Sequence, residues 1–72
     1  MAPHESFPGD NPPDDLNAYQ GMEQQQAERR ARDRGWTTVR SLPPDAVVTM
    51  EYVVGRLNFT VADGRVQRCW MG

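Results

Sequence analysis

Hydrophobic and polar positions change their period along this chain, and each change marks an element. Residues 16–34, LNAYQGMEQQQAERRARDR, contain no β-branched residue and no proline. They are rich in Gln, Glu, Arg and Ala, which keep side-chain freedom in a helix, and so predict one helix. Gly35 supplies a left-handed stop, and arginines crowd the last turns, where the helix dipole favours positive charge. Leu16, Tyr19, Ala27 and Ala31 fall near one face and Met22 does not; the small alanines suit a helix lying close against a sheet. From Trp36 the chain turns β-branched and aromatic, so residues 36–42 predict a strand ended by Pro43-Pro44, neither of which can donate to a ladder. Leu57, Phe59 and Val61 alternate with Asn58 and Thr60, a strand with one buried face. Asp63-Gly64 marks a tight hairpin turn into a last strand, where Val66, Arg68 and Trp70 alternate with Gln67 and Cys69. Helix, strand, long connection and hairpin make a small α+β fold.

The connection is the informative part. Residues 45–55, DAVVTMEYVVG, are mostly apolar or β-branched, and propensity alone favours an extended chain. Two readings follow. Either this is a central strand of the sheet, or it is an exposed extended loop that displays Val47, Val48, Met50, Tyr52 and Val53 to a partner.

Composition narrows the chemistry. Seventy-two residues with 38% apolar content allow one small core and leave no room for a deep substrate cavity. Residues 1–15 hold four of the six prolines and four acids, and read as a flexible acidic tail ahead of a single domain over residues 16–72. No basic start with an apolar run follows, so no signal peptide is expected, and the chain is either cytoplasmic or a mature secreted form. One cysteine, Cys69, cannot make an internal disulfide, and one histidine, His4, gives little basis for a metal site or histidine-based catalysis. A net charge of −2 argues against nucleic acid or an anionic membrane as partner. Arg29, Arg30, Arg32 and Arg34 interleave with Glu28 and Asp33 and read as a solvated helix face; Glu28 and Arg32 form a favourable i,i+4 pair. Trp36 and Trp70 read as core or core-edge packing, and Cys69 as a half-buried structural residue. No cofactor, no metal and no catalysis are expected, and the chain is expected to act as a monomer.

Residues 42–72 resemble the second half of the potato inhibitor I family of serine protease inhibitors. They are most similar to its microbial, elastase-inhibitor-like branch, with residues 43–45, the VTMEY run within residues 46–52, RLNF at 56–59, Asp63-Gly64 and Gly72 as matching elements. The resemblance is strong over residues 36–72 and thin over the helix, where it rests on Gln20-Gly21, Ala27 and Ala31. It implies one helix packed on a small mixed β-sheet with a long exposed inhibitory loop. It further implies a serine endopeptidase with an apolar specificity pocket, subtilisin-, chymotrypsin- or elastase-like, as partner. The Met50-Glu51 bond is then the reactive-site bond, Val47, Val48, Thr49, Met50, Glu51 and Tyr52 the protease-binding loop, and Arg56 the side chain that supports it from behind.

Elementary chemistry agrees with that implication. A protease binds substrate as an extended strand and seats one side chain in a pocket. Valines and Thr49 stiffen the segment, so less entropy is lost on binding, and Met50 adapts to an apolar pocket. Inhibition rather than cleavage requires both ends of a nicked loop to stay in place. Without a disulfide, hydrogen bonds must hold them: the Arg56 guanidinium has five donors, enough for the Thr49 hydroxyl or carbonyl and the Glu51 carboxylate. Plant and leech members usually carry a second arginine two residues on; here stands Asn58, and Asn58 and Arg68 are the further residues expected to support the loop, Arg68 as the candidate replacement for that arginine. Val53, Val54 and Gly55 also depart from the pattern, and Gly55 is expected to loosen the loop's exit. A second reading keeps the fold and makes the same loop a non-inhibitory protein-interaction module.

Overall fold

The computed structural model describes residues 11–48 and 51–72; His4, Thr49 and Met50 lie outside the described residues. The architecture is a small α+β fold, one α-helix on a three-stranded mixed sheet: α1 is Gln24–Asp33, β1 Thr38–Leu42, β2 Arg56–Ala62 and β3 Arg65–Met71. A 3-10 turn, Leu16–Tyr19, precedes α1.

The single helix expected over residues 16–34 is thus two pieces. Gly21, at φ 84°, breaks it, and its N–H is drawn to the Val66 carbonyl at 2.8 Å. Leaving the helical path there lets the short turn and the helix both attach to the sheet. Asp15 caps the 3-10 turn by accepting from the Asn17 N–H at 3.1 Å. No side chain caps α1; instead Gln24 N–H donates to the Gly64 carbonyl at 2.8 Å, so the hairpin turn itself satisfies a helix-end donor. At the other end the chain closes as a Schellman motif. Gly35 at φ 101° donates to Arg32 at 3.1 Å, and Trp36 donates to Ala31 at 3.1 Å.

Ala27 and Ala31 are fully buried, and with Tyr19, Trp36, Leu57, Phe59 and Val66 they form the core. The Tyr19 and Phe59 rings meet at 5.3 Å between centroids. Met22, placed off the apolar face by its helical position, packs against this core because the break at Gly21 turns it inward. Arg30 departs from the solvated face as well: it is half-buried, with its guanidinium 5.7 Å above the Tyr19 ring.

β2 lies in the middle, parallel to β1 (Val39 opposite Leu57) and antiparallel to β3 (Asn58 opposite Trp70). Asp63 and Gly64, both at positive φ, make the hairpin turn. Since β1 and β2 are parallel neighbours, the chain must travel back along the whole sheet between them, a crossover that takes about a dozen residues or more. Residues 43–55 are that crossover. In their described parts they form no strand despite a strand-like composition: they carry the chain back over one face of the sheet to the start of β2 instead of running along an edge. β2 is buried on both faces rather than one: Asn58 is 0% and Thr60 8% exposed. Leu57 and Phe59 face the helix, while the opposite face is roofed by the crossover, where Ala46 and Val48 stand over Thr60, Arg68 and Trp70 around a cleft of about 320 Å³.

Candidate functional site

Among the described residues, four of the five exposed large apolar side chains lie on the crossover: Val47 is 94% exposed, Tyr52 60%, Val48 41% and Val54 39%; the fifth is Met71 of β3 at 42%. Thr49 and Met50, at the centre of the expected protease-binding loop, lie outside the described residues. The two arms are placed differently. The first carries a turn in which Ala46 N–H meets the Pro43 carbonyl at 3.1 Å. The second, from Glu51, is tied down at several points.

Arg56 is the hub of that second arm. Its own peptide belongs to β2, and its side chain, 9% exposed, runs beneath the arm. Nε and Nη2 donate to the Gly72 carbonyl at 3.1 and 2.6 Å. Nη2 also donates to the Glu51 carbonyl at 3.3 Å, and Nη1 pairs with Glu51 Oε1 at 3.4 Å. The Gly72 carbonyl receives the Val53 N–H as well, at 2.8 Å, while Gly72 N–H returns to the Arg56 carbonyl at 3.0 Å. One guanidinium therefore joins the main chain just past the Met50-Glu51 bond to the end of β3. The contact expected with the Glu51 carboxylate is present but weak. That carboxylate is 65% exposed, so solvent screens the pair to about 0–1 kcal/mol. The strong acceptor is the Gly72 carbonyl.

Gly72 is required at its place. Its φ is 102°, and a Cβ there would stand 2.5 Å from Cδ2 of the Tyr52 ring. The Tyr52 ring thus packs closely against Gly72. Gly55, expected to loosen the exit, is instead a fixed point. It is buried at φ 81°, and its carbonyl accepts from Thr37 N–H at 2.9 Å, Thr38 N–H at 3.2 Å and Thr37 Oγ1 at 3.1 Å.

The other two expected supports sit elsewhere. Asn58 is fully buried, and its amide serves the sheet: Oδ1 accepts from Arg40 Nε at 2.8 Å and Nδ2 donates to the Trp70 carbonyl at 3.2 Å. Arg68 lies over the Trp70 ring at 5.9 Å and lines the cleft beneath Ala46 and Val48. Among the described residues, neither donates a hydrogen bond to the loop.

The stretch read as tail enters the fold from residue 11. Asp14 Oδ2 accepts from Tyr19 Oη at 2.5 Å and from Trp36 Nε1 at 3.0 Å. Burial pushes the Asp14 carboxyl up, but these two bonds, the Asp15 N–H and the Arg34 charge outweigh it and hold it below its ordinary value. The same burial and the Asp14 charge raise Tyr19 above its usual range. Burial pushes the Cys69 thiol up to about 12, which leaves it a packed, unreactive group. Asn11, Gly72 and Asp14 were not visible as site or anchor residues in the sequence. The only signal for ordered chain before Leu16 was Asp15 ahead of a helical run, a capping residue.

Among the described residues no group of three or more His, Cys, Asp or Glu is arranged to hold a metal ion. None of their helices is long and apolar enough to cross a membrane. No protein-family model matches the chain, and no curated protein matches it in sequence.

Proposed function

We propose that this chain is a substrate-like, reversible inhibitor of serine endopeptidases, of the potato inhibitor I type, and that it presents the Met50-Glu51 bond to an enzyme with an apolar specificity pocket. The observation that carries the reading is the Arg56 guanidinium bound at once to the Glu51 carbonyl and the Gly72 carbonyl. When the protease serine attacks the Met50 carbonyl, an ester forms, the peptide bond breaks, and the amine of Glu51 is the leaving group. An ordinary substrate loses that amine to solvent. Here it belongs to a residue whose own carbonyl is held by a buried cation and whose neighbour Tyr52 rests on Gly72, so it stays beside the ester and re-forms the bond. Proximity of this kind favours the reverse step by orders of magnitude over water. The exposed valines add main-chain strand pairing to the enzyme.

Titration of subtilisin and chymotrypsin with the chain tests this. Activity is expected to fall linearly to zero near one equivalent, and Met50→Lys is expected to move the inhibition to trypsin, because the pocket reads that side chain. Rapid, complete cutting after Met50 with no inhibition would leave the competing reading, a non-inhibitory protein-interaction module using the same loop. What favours that alternative is Asn58, whose amide is spent on Arg40 and Trp70 rather than on the loop.

A further inference from the structure

Asn11 sits in a stretch whose composition marks a tail, yet its side chain gathers groups from two distant parts of the chain. Oδ1 accepts from the Gly55 N–H at 2.8 Å; Nδ2 donates to Tyr52 Oη at 2.7 Å and reaches Met71 Sδ at 3.3 Å. Gly55 is the residue where the loop rejoins the sheet. Its carbonyl is taken by Thr37 and Thr38, and Asn11 takes its N–H, so the peptide is gripped from both sides. Tyr52 is likewise held twice, by its ring on Gly72 and by its hydroxyl on Asn11. The segment that delivers Asn11 is itself anchored. Asp14 is bound to Tyr19 and Trp36, and Pro12 lies beside Gly35. With Asp14 fixed three residues away, Asn11 has little further freedom to lose on reaching the loop.

We infer that Asn11 is a positioning residue for the loop, a pin through which the N-terminal segment holds the arm that follows the Met50-Glu51 bond. The inference rests on the inhibitory reading and deepens it. Arg56 holds the arm from below at Glu51, and Asn11 holds it at Tyr52 and Gly55, so the leaving amine is restrained at both ends of its arm. Loss of the pin turns a slowly cut inhibitor into a faster-cut one, with the sheet intact.

The test is amide hydrogen exchange of the full chain, measured by NMR without protease, paired with the rate at which subtilisin cuts the chain. In Asn11→Ala, exchange at Gly55 is expected to rise about tenfold or more, the order expected for one lost hydrogen bond, while Leu57 and Phe59 keep their rates. Asn11→Asp keeps an acceptor for the Gly55 N–H and is expected to restore the protection. Cutting of Asn11→Ala is expected to be about tenfold faster than that of the parent chain. Unchanged Gly55 exchange in Asn11→Ala overturns the proposal, and so does a uniform rise across the sheet amides, which marks a role in overall stability only. If the parent chain inhibits neither subtilisin nor chymotrypsin while Gly55 responds as expected, the inhibitory reading falls and the pin stands.

Discussion

At Arg56 a single side chain decides how firmly the second arm of the loop is held, because three of its hydrogen bonds converge on two main-chain carbonyls and one reaches the Glu51 carboxylate. Hydrogen bonds from a charged donor contribute about 1.5–3 kcal/mol each, against about 0–1 for the exposed Glu51 carboxylate, so the carbonyl contacts dominate. Arg56→Ala removes all of them and leaves the Arg56 peptide in its ladder. The variant is expected to stay folded and to release protease roughly 10- to 100-fold faster, read as the dissociation rate of the complex with subtilisin. Undiminished inhibition by this variant would sink the clamp. Arg56 was legible in the sequence through its place in RLN after VTMEY. Its main acceptor was not, since Gly72 is reached only by pairing β2 with β3. Asn58 shows the opposite case: its position suggested loop support, and the register gave it Arg40 and Trp70 instead.

The helix and the crossover illustrate two kinds of element. α1 owes its position to the small methyl side chains of Ala27 and Ala31, both fully buried against the sheet. Ala27→Leu forces added volume into that contact and is expected to cost about 1–3 kcal/mol, seen as a lower midpoint in urea with unchanged slope. A neutral result would mean the helix does not bear on the sheet. Helix composition announced this element, but it did not announce the break at Gly21, since Gly within a helical run is merely unfavourable until a partner such as the Val66 carbonyl makes the break worthwhile. The crossover carries strand propensity over most of residues 46–54 and forms no strand in its described parts. Propensity reports what a pleated, half-buried surface accepts; a segment that carries the chain back over the sheet face from β1 to the parallel β2 is not laid along an edge where such pairing forms.

For the molecule as a whole, stability is expected to be bounded on both sides of neutral pH. The Asp14 carboxyl is depressed in the folded state, so its contribution is complete above its ordinary value of 3.8 and is lost as pH falls below that. The Cys69 thiol is raised from 9.0 to about 12, so its contribution is complete below 9.0 and is lost as pH climbs from there toward 12. Tyr19, raised from 10.0, adds to the same alkaline loss. Thermal midpoints followed by circular dichroism should form a plateau with a fall on each side, and Cys69→Ala should flatten the start of the alkaline fall. An unaltered alkaline limb in that variant would contradict a buried thiol. Taken by itself, the sequence determined the class of elements, their order and the hairpin turn, because each depends on neighbours within a few positions: period, propensity and turn residues; between strand and loop for residues 45–55 its local pattern did not choose. Tertiary structure alone decided that Asn11 meets Gly55 and Tyr52, that Asp14 joins Tyr19 to Trp36, and that Gly72 receives Arg56. The decisive pairs, Asn11 with Gly55 and Arg56 with Gly72, bring together residues far apart along the chain, and only the closing of the sheet and its packing on the helix fix which distant polar groups are left facing one another.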